Sequence, residues 1–326
     1  MKRIGIVEGY YGSLPTFEQR KNTLKNLSDS GLNFYLYAPK EDPFLRSHID
    51  IEHSDSWLNK FNDFLAYSKE LNIEVGIGLA PIKKDKKIAL KSKIKNFSER
   101  GVKYFSILFD DIEEDFLFLD QFGVYTEIKS HFPNLFFDFC PTVYSTELIK
   151  KDLTHEKYFE DFNENFSSSD DFFWTGDKVI STKIDVSCQK DLINFQNENI
   201  AIWDNYFTTD SQPKKLNLTY FDHLDSDFLA SKKCYLVNLT GMPRYDNLIM
   251  ELLGSFRNGK DNSFQSILLK HGVDERFLDY IKLFDPNKKI NLKKEDKDKI
   301  HKIMFTWFHP LKNEWYPYLH NLKNWE

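Results

Sequence analysis

An eight-stranded (β/α)₈ barrel with a small C-terminal helical extension, in the α/β class, is the fold this sequence predicts. Three observations lead there. Eight short apolar or β-rich runs recur at intervals of about thirty residues. Helical patterns lie between most of them. Together the units fill roughly 255 residues, the usual size of such a barrel. A doubly wound sheet shares this rhythm, because strand order cannot be read from one sequence.

The predicted strands are Ile4–Glu8, Asn33–Ala38, Glu74–Leu79, Tyr104–Phe109, Leu135–Cys140, Phe172–Trp174, Ile200–Trp203 and Cys234–Asn238. After the first, Thr16-Phe17-Glu18-Gln19 forms a capping box that opens a helix closing at Gly31. After the second, Trp57, Leu58, Phe61, Phe64, Leu65 and Leu71 recur at helical spacing. Ile88, Leu90, Ile94 and Phe97 do the same after the third, ending at Gly101. A further stripe, Leu192, Ile193 and Phe195, precedes the seventh strand, and Ile249, Leu252, Leu253 and Phe256 follow the eighth. The expected division is residues 1–256 for the barrel and 257–326 for a helical extension carrying Trp307, Trp315 and Trp325. Those tryptophans are expected either to cover the site or to form a homodimer contact.

Composition narrows the function. The chain has 326 residues, 30 of them Phe, and a net charge of −6. Residues 257–326 carry 14 basic and 10 acidic residues, leaving 30 and 40 for the remainder. An acidic main body argues against a nucleic-acid partner. No apolar run approaches the length of a membrane span, and the N-terminus does not read as a signal peptide. Cys140, Cys188 and Cys234 are widely spaced and read as buried thiols of a reducing compartment. A cytoplasmic protein without membrane partners is expected.

Chemistry gathers at one end of the strands. The fourth run ends in Asp110-Asp111, and a buried strand rarely ends in two adjacent carboxylates. Side by side they cannot both ionise freely, so one pKa is expected to rise. The other strand ends contribute Gly9, Lys40, Tyr144, Trp174 with Thr175, Asn205 with Asp210, and Asn238. In a barrel those ends share the face on which active sites are built. An acid, hydroxyl-binding polar groups and aromatic walls are what glycoside hydrolysis requires. For both aspartates to face the pocket, the chain must leave regular strand geometry there.

Other chemistries fit less well. Asp110, Asp111, Glu113, Glu114 and Asp115 crowd together, but they lack EF-hand spacing, and no His-Glu-x-x-His motif occurs. Neither a metal nor another cofactor is therefore expected, and residues 113–115 read as the acidic first turn of the next helix. Cys140 has no histidine placed to activate it and reads as a core cysteine. Gly76-Ile77-Gly78 lacks the third glycine of a dinucleotide site.

Six blocks in order resemble a known family: Val7-Glu8-Gly9-Tyr10-Tyr11-Gly12, residues 33–43 ending Pro39-Lys40-Glu41-Asp42-Pro43, and Phe109-Asp110-Asp111-Ile112. The others are Phe139-Cys140-Pro141-Thr142-Val143-Tyr144, Trp174-Thr175-Gly176 and Trp203-Asp204-Asn205. The chain resembles the catalytic domain of O-GlcNAcase and hyaluronidase-like β-N-acetylglucosaminidases, glycoside hydrolase family eighty-four. The resemblance implies a (β/α)₈ barrel that cleaves β-linked N-acetylglucosamine (GlcNAc) with retention, from a glycoprotein or glycan, without a cofactor. The substrate's own acetamido group would be the nucleophile, giving an oxazoline. Asp110 would steer the acetamido group, and Asp111 would serve as acid and then base. Tyr144 and Thr175 would lie by the acetamido group. Gly9 and Lys40 would contact the sugar, with Asn205, Asp210 and Asn238 on its hydroxyls. Trp174, at the end of the sixth strand, reads from its position as the aromatic wall. The chain departs from the family pattern at Ser13-Leu14-Pro15 and at Phe44–Ile49, rim loops that concern the leaving group. A hexosaminidase for free oligosaccharides or cell-wall fragments is the same-class alternative. A catalytically weak sugar-binding barrel is the alternative from another class.

Overall fold

The computed structural model describes residues 2–81, 86–112, 116–210, 214–259 and 264–323. Its strands are β1 (Arg3–Glu8), β2 (Phe34–Tyr37), β3 (Glu74–Leu79), β4 (Tyr104–Leu108), β5 (Phe136–Cys140), β6 (Asp171–Trp174), β7 (Ile200–Asp204) and β8 (Cys234–Asn238). They pair in chain order, and β8 closes on β1 in parallel, with Val7 opposite Asn238. This is the predicted barrel.

The strands are apolar on both faces because both are covered. Val7, Leu36, Leu108, Phe173, Trp203 and Leu236 fill the barrel interior. Ile6, Tyr35, Ile77, Phe105, Phe139 and Trp174 alternate with them and pack against the helices. At the amino-terminal end of the interior, Arg3 grips Asp138 with two hydrogen bonds of 2.6 Å. Removing either partner of such a buried pair would cost about 3–5 kcal/mol.

Helix α1 (Phe17–Asp29) opens on the capping box expected at Thr16 and Gln19, and the chain turns out of it at Gly31 with φ +70°. Helices α2 (Asp55–Glu70) and α3 (Lys87–Glu99) follow their predicted stripes. The acidic stretch 113–115 lies outside the described residues, and α4 (Phe118–His131) begins beyond it. Helices α5 (Thr146–Ile149) and α6 (Leu153–Asn165) follow β5, and Phe162 of α6 packs against Phe139 of β5.

The stripe at Leu192, Ile193 and Phe195 is not an α-helix. Short 3₁₀ turns at Val186–Gln189 and Asn197–Asn199 flank it, and Ile193 is exposed. Three apolar residues among Asn194, Gln196, Asn197 and Asn199 cannot offset the cost of helix nucleation. After β7 the chain crosses residues 205–225 to α7 (Ser226–Ser231).

Helix α8 (Pro243–Arg257) runs one residue past the division expected from the sequence. Beyond it come α9 (Phe264–Lys270), a 3₁₀ helix (Glu275–Phe284), α10 (Lys294–Thr306) and α11 (Pro310–Lys323). Trp307 and Trp315 are not the exposed aromatics that a site cover or dimer contact requires. Both are buried, Trp307 against Phe277 and Trp315 edge-on to Tyr245 of α8. Trp325 lies outside the described residues. Glu314 on α11 accepts from the backbone N–H groups of Arg244 and Tyr245, so the extension caps α8. Among the described residues, no helix is long and apolar enough to cross a membrane.

Candidate active site

A pocket of about 240 Å³ opens at the carboxyl ends of the strands. Nine of the ten residues singled out from the sequence line it: Asp110 and Asp111 after β4, Gly9 after β1, Lys40 after β2, Tyr144 after β5, Thr175 after β6, Asn205 and Asp210 after β7, and Asn238 ending β8. Parallel strands closing on themselves bring these separate segments together.

Trp174 is the exception. It is fully buried between β6 and the helices, and its indole N–H donates to the Cys188 carbonyl at 2.9 Å. The side-chain alternation of β6 decides this: Trp174 faces outward, so Phe173 faces the pocket. Trp203, on the inward face of β7, lines the wall expected of Trp174. Gly9 is required beside it, since a Cβ there would lie 2.4 Å from the Trp203 ring.

The two aspartates reach one pocket because the strand geometry breaks. Strand β4 ends at Leu108, and Asp111 adopts φ +57°, a left-handed conformation that Asp tolerates better than most residues. Lys40 is buried and lies between the carboxylates. Its ammonium donates to Asp110 Oδ2 and, at 2.8 Å, to Asp111 Oδ2. Burial disfavours the Lys40 charge, but Asp110 and Asp111 outweigh it and hold the pKa above the usual lysine value.

The rise expected of one member of the pair does not fall on Asp111, because of that cation. Burial pushes its carboxyl upward, yet the Lys40 charge and hydrogen bond, the Tyr11 hydroxyl and Arg46 outweigh burial and hold it below the usual range. Repulsion between neighbours raises a pKa only where no counter-charge intervenes. The Asp110 Oδ1 atom is buried and has no hydrogen-bond partner among the described residues.

Hydrogen bonds stitch the opposite wall. The Gly9 N–H donates to Asn238 Oδ1 at 3.1 Å, Asn238 Nδ2 to Asn205 Oδ1 at 3.0 Å, and Asn205 Nδ2 to the Val179 carbonyl at 3.0 Å. Asp210 Oδ2 accepts the Tyr11 N–H at 3.1 Å. The Tyr144 hydroxyl faces Asp111 Oδ1 at 3.4 Å, and its backbone carbonyl accepts the Thr175 N–H at 2.9 Å. The Thr175 hydroxyl donates at 2.8 Å to the Lys178 carbonyl. The Cys140 thiol is buried in the pocket floor, and burial followed by the Asp110 charge pushes its pKa well up, which disfavours a thiolate.

Sequence reasoning missed Tyr11, which lay inside a quoted block but received no role. Its hydroxyl donates to Asp111 Oδ2 at 2.8 Å. It also missed three buried carboxylates behind the wall. Glu8, next to Gly9, accepts from Arg20 at 2.8 and 2.6 Å and from Tyr35. Asp42, two residues after Lys40, accepts from Tyr37 at 3.0 Å and pairs with His53 at 2.9 Å. Asp204, next to Asn205, pairs with His223 at 2.7 Å and accepts the Tyr206 N–H at 2.8 Å. Each side chain points away from the pocket and holds the segment whose neighbour points into it.

Comparisons with known proteins agree with this arrangement. A family model for beta-N-acetylglucosaminidase matches residues 4–262. The chain is 28% identical over 252 residues to the protein O-GlcNAcases of Mus musculus and Rattus norvegicus, covering 72% of this chain and 27% of each relative. It thus spans about a quarter of their length. Among solved structures, an O-GlcNAc hydrolase mutant of Thermobaculum terrenum superposes with a TM-score of 0.78 at 20% identity, covering 94% of this chain and 73% of the other. A structure described as CpGH84B gives 0.75 at 21% identity, covering 94% and 58%. At such identities these two similarities speak to the fold alone.

Proposed function

Because the chain belongs to the beta-N-acetylglucosaminidase family of glycoside hydrolases, we propose that it releases β-linked GlcNAc from a glycoprotein or glycan by substrate-assisted catalysis with retention. The observation that carries this reading is the unpartnered, buried Oδ1 of Asp110 beside the paired Asp111. A buried acceptor without a donor costs free energy until a ligand supplies an N–H. The acetamido N–H of GlcNAc is such a donor, and accepting it aims the acetamido oxygen at the anomeric carbon.

In the first step that oxygen bonds to the anomeric carbon, the glycosidic bond breaks, and the leaving oxygen takes the proton of Asp111. In the second, water attacks the anomeric carbon and gives its proton to Asp111. The oxazoline opens to the acetamide, with two inversions and net retention. Adjacent aspartates suit this route because they leave no space for a sugar between an acid and a carboxylate nucleophile. The Lys40 ammonium donates to Asp110 Oδ2, which leaves Oδ1 to accept the acetamido N–H in both steps. Asp111 must hold a proton in the first, and a bound sugar that excludes water from the pocket favours that neutral form.

The deciding experiment is turnover of aryl N-acetyl-β-glucosaminides with zero, one, two or three fluorines on the acetyl group. Rates should fall steeply as fluorination weakens the carbonyl nucleophile. A flat series would remove the acetamido oxygen as nucleophile, and complete inactivity of the folded protein would remove the hydrolase reading.

A further inference from the structure

On the same face of the barrel a second concavity, of about 290 Å³, lies between the β7–α7 loop and the C-terminal extension. Its floor is apolar, with Leu216, Phe284 and Tyr318. Its rim is cationic, with Lys214, Lys215, Lys288 and Lys289. Among the described residues of the lining Asp285 is the one acid, and it is already engaged: it pairs with Lys288 at 3.1 Å and accepts the Asn287 N–H at 3.0 Å. Among the described residues, Lys214, Lys215 and Lys289 have no ion pair with an acid.

The groove is held in shape by the fold. The Leu218 N–H donates to the Phe284 carbonyl at 2.8 Å, and the Asn217 side chain donates to the Tyr206 carbonyl at 2.8 Å. It is also close to the catalytic pocket. Lys214 follows Asp210 by four residues, so their Cα atoms are at most about 14 Å apart.

We propose that this groove docks an acidic segment of a polypeptide substrate, one that places an apolar side chain between carboxylates. This rests on the reading of the neighbouring pocket as a GlcNAc hydrolase site, and it deepens that reading by naming the aglycone. A chain of net charge −6 repels acidic partners in general, so three lysines without an ion pair among the described residues select where such a segment lands. The apolar floor rewards a Leu, Val or Phe among the acids. Nucleic acid fits less well, because Phe284 and Tyr318 are buried and offer no open ring face for base stacking. At most about four extended residues bridge Asp210 and Lys214, so the acidic segment should begin within that spacing of the glycosylated Ser or Thr.

The test compares the full chain with its Lys214→Glu/Lys215→Glu variant on three substrates. These are an aryl N-acetyl-β-glucosaminide, a GlcNAc-peptide with a Glu-Leu-Glu-Asp flank beginning two to four residues away on either side, and the same peptide with Gln for each acid. The acid-flanked peptide should show a KM about three- to tenfold below that of the Gln peptide. The variant, or salt at about 0.5 M, should abolish that advantage while leaving the aryl substrate unchanged. Equal KM values for the two peptides in the unmodified chain, or an advantage surviving in the variant, would overturn the proposal. Fluorescence anisotropy of a labelled acidic peptide without sugar reads the groove separately. Loss of peptide binding in the variant supports the groove even if no glycoside is cleaved, whereas absent or unchanged binding, or tighter capture of an oligonucleotide, counts against it.

Discussion

The Tyr11 hydroxyl, just after β1, donates at 2.8 Å to Asp111 Oδ2, just after β4 and 100 residues further along the chain. The same oxygen accepts from Lys40. Two donors on one carboxylate oxygen stabilise the charged form, and together they outweigh burial. Tyr11 responds in the opposite sense: burial first, then the Asp111 charge, pushes its phenol up to about 12. It therefore stays protonated and remains a donor at neutral pH.

Replacing Tyr11 with Phe removes one donor from the charged form of Asp111, so the carboxyl pKa must rise. An acid with a higher pKa keeps its proton to higher pH. The alkaline limb of kcat/KM for a substrate with a poor leaving group should therefore move upward in Tyr11→Phe. A limb that stays in place or moves down would show that Asp111 is not the titrating acid.

Asp111→Asn and Asp110→Asn should separate the two roles. Asn also tolerates the left-handed backbone at position 111, so the first variant should fold. Loss of the acid should cost about 10²–10⁴-fold with poor leaving groups and far less with activated aryl glycosides. Loss of the Asp110 charge should slow both substrates alike, since every substrate needs its acetamido group aimed. A common leaving-group dependence in the two variants would sink the assignment.

Trp174 and Gly9 should fail in different ways. Trp174→Phe loses buried ring volume and the bond to Cys188, and is expected to cost about 1–3 kcal/mol of stability with KM unchanged. Gly9→Ala forces the Trp203 ring to move in the pocket wall, so KM should rise several-fold. Chemical denaturation and steady-state kinetics of both variants check this, and a raised KM in Trp174→Phe would return that residue to the sugar site.

Asp246 predicts a pH dependence of stability. It is buried on α8 and accepts from the Thr240 N–H and hydroxyl, and burial raises its carboxyl to about 7. A folded-state pKa above the unfolded value means the folded chain holds the proton more tightly. Its contribution is fully present below the unfolded value of about 4 and is lost as pH rises to about 7, by up to about 4 kcal/mol. Asp246→Asn keeps the acceptor and cannot ionise. The difference in unfolding free energy between variant and parent should therefore grow in the variant's favour from pH 4 to 7. A constant difference would contradict the shift.

The barrel was legible because period and spacing are local properties: an apolar run between turn signals needs no distant partner to be recognised. The same holds for the aspartates, since a carboxylate pair ending a buried strand is anomalous wherever the strand goes. The failures share a different cause. The sequence places Trp174 in the pocket and gives Trp203 no role, because the inward or outward phase of a strand depends on its register with neighbours. The stripe at Leu192–Phe195 imitated a helix too short to nucleate.

Sequence alone determined the eight units and nine of the sixteen residues that line the pocket, because chemistry-bearing side chains gather at the carboxyl ends of the strands. Tertiary structure decided their electrostatics. Read in isolation, adjacent carboxylates repel and a pKa rises; in the folded barrel Lys40 and Tyr11 arrive from other strands and reverse that shift at Asp111. Coulomb interactions depend on distances through space, and only the closure of β1, β2 and β4 into one barrel sets those distances.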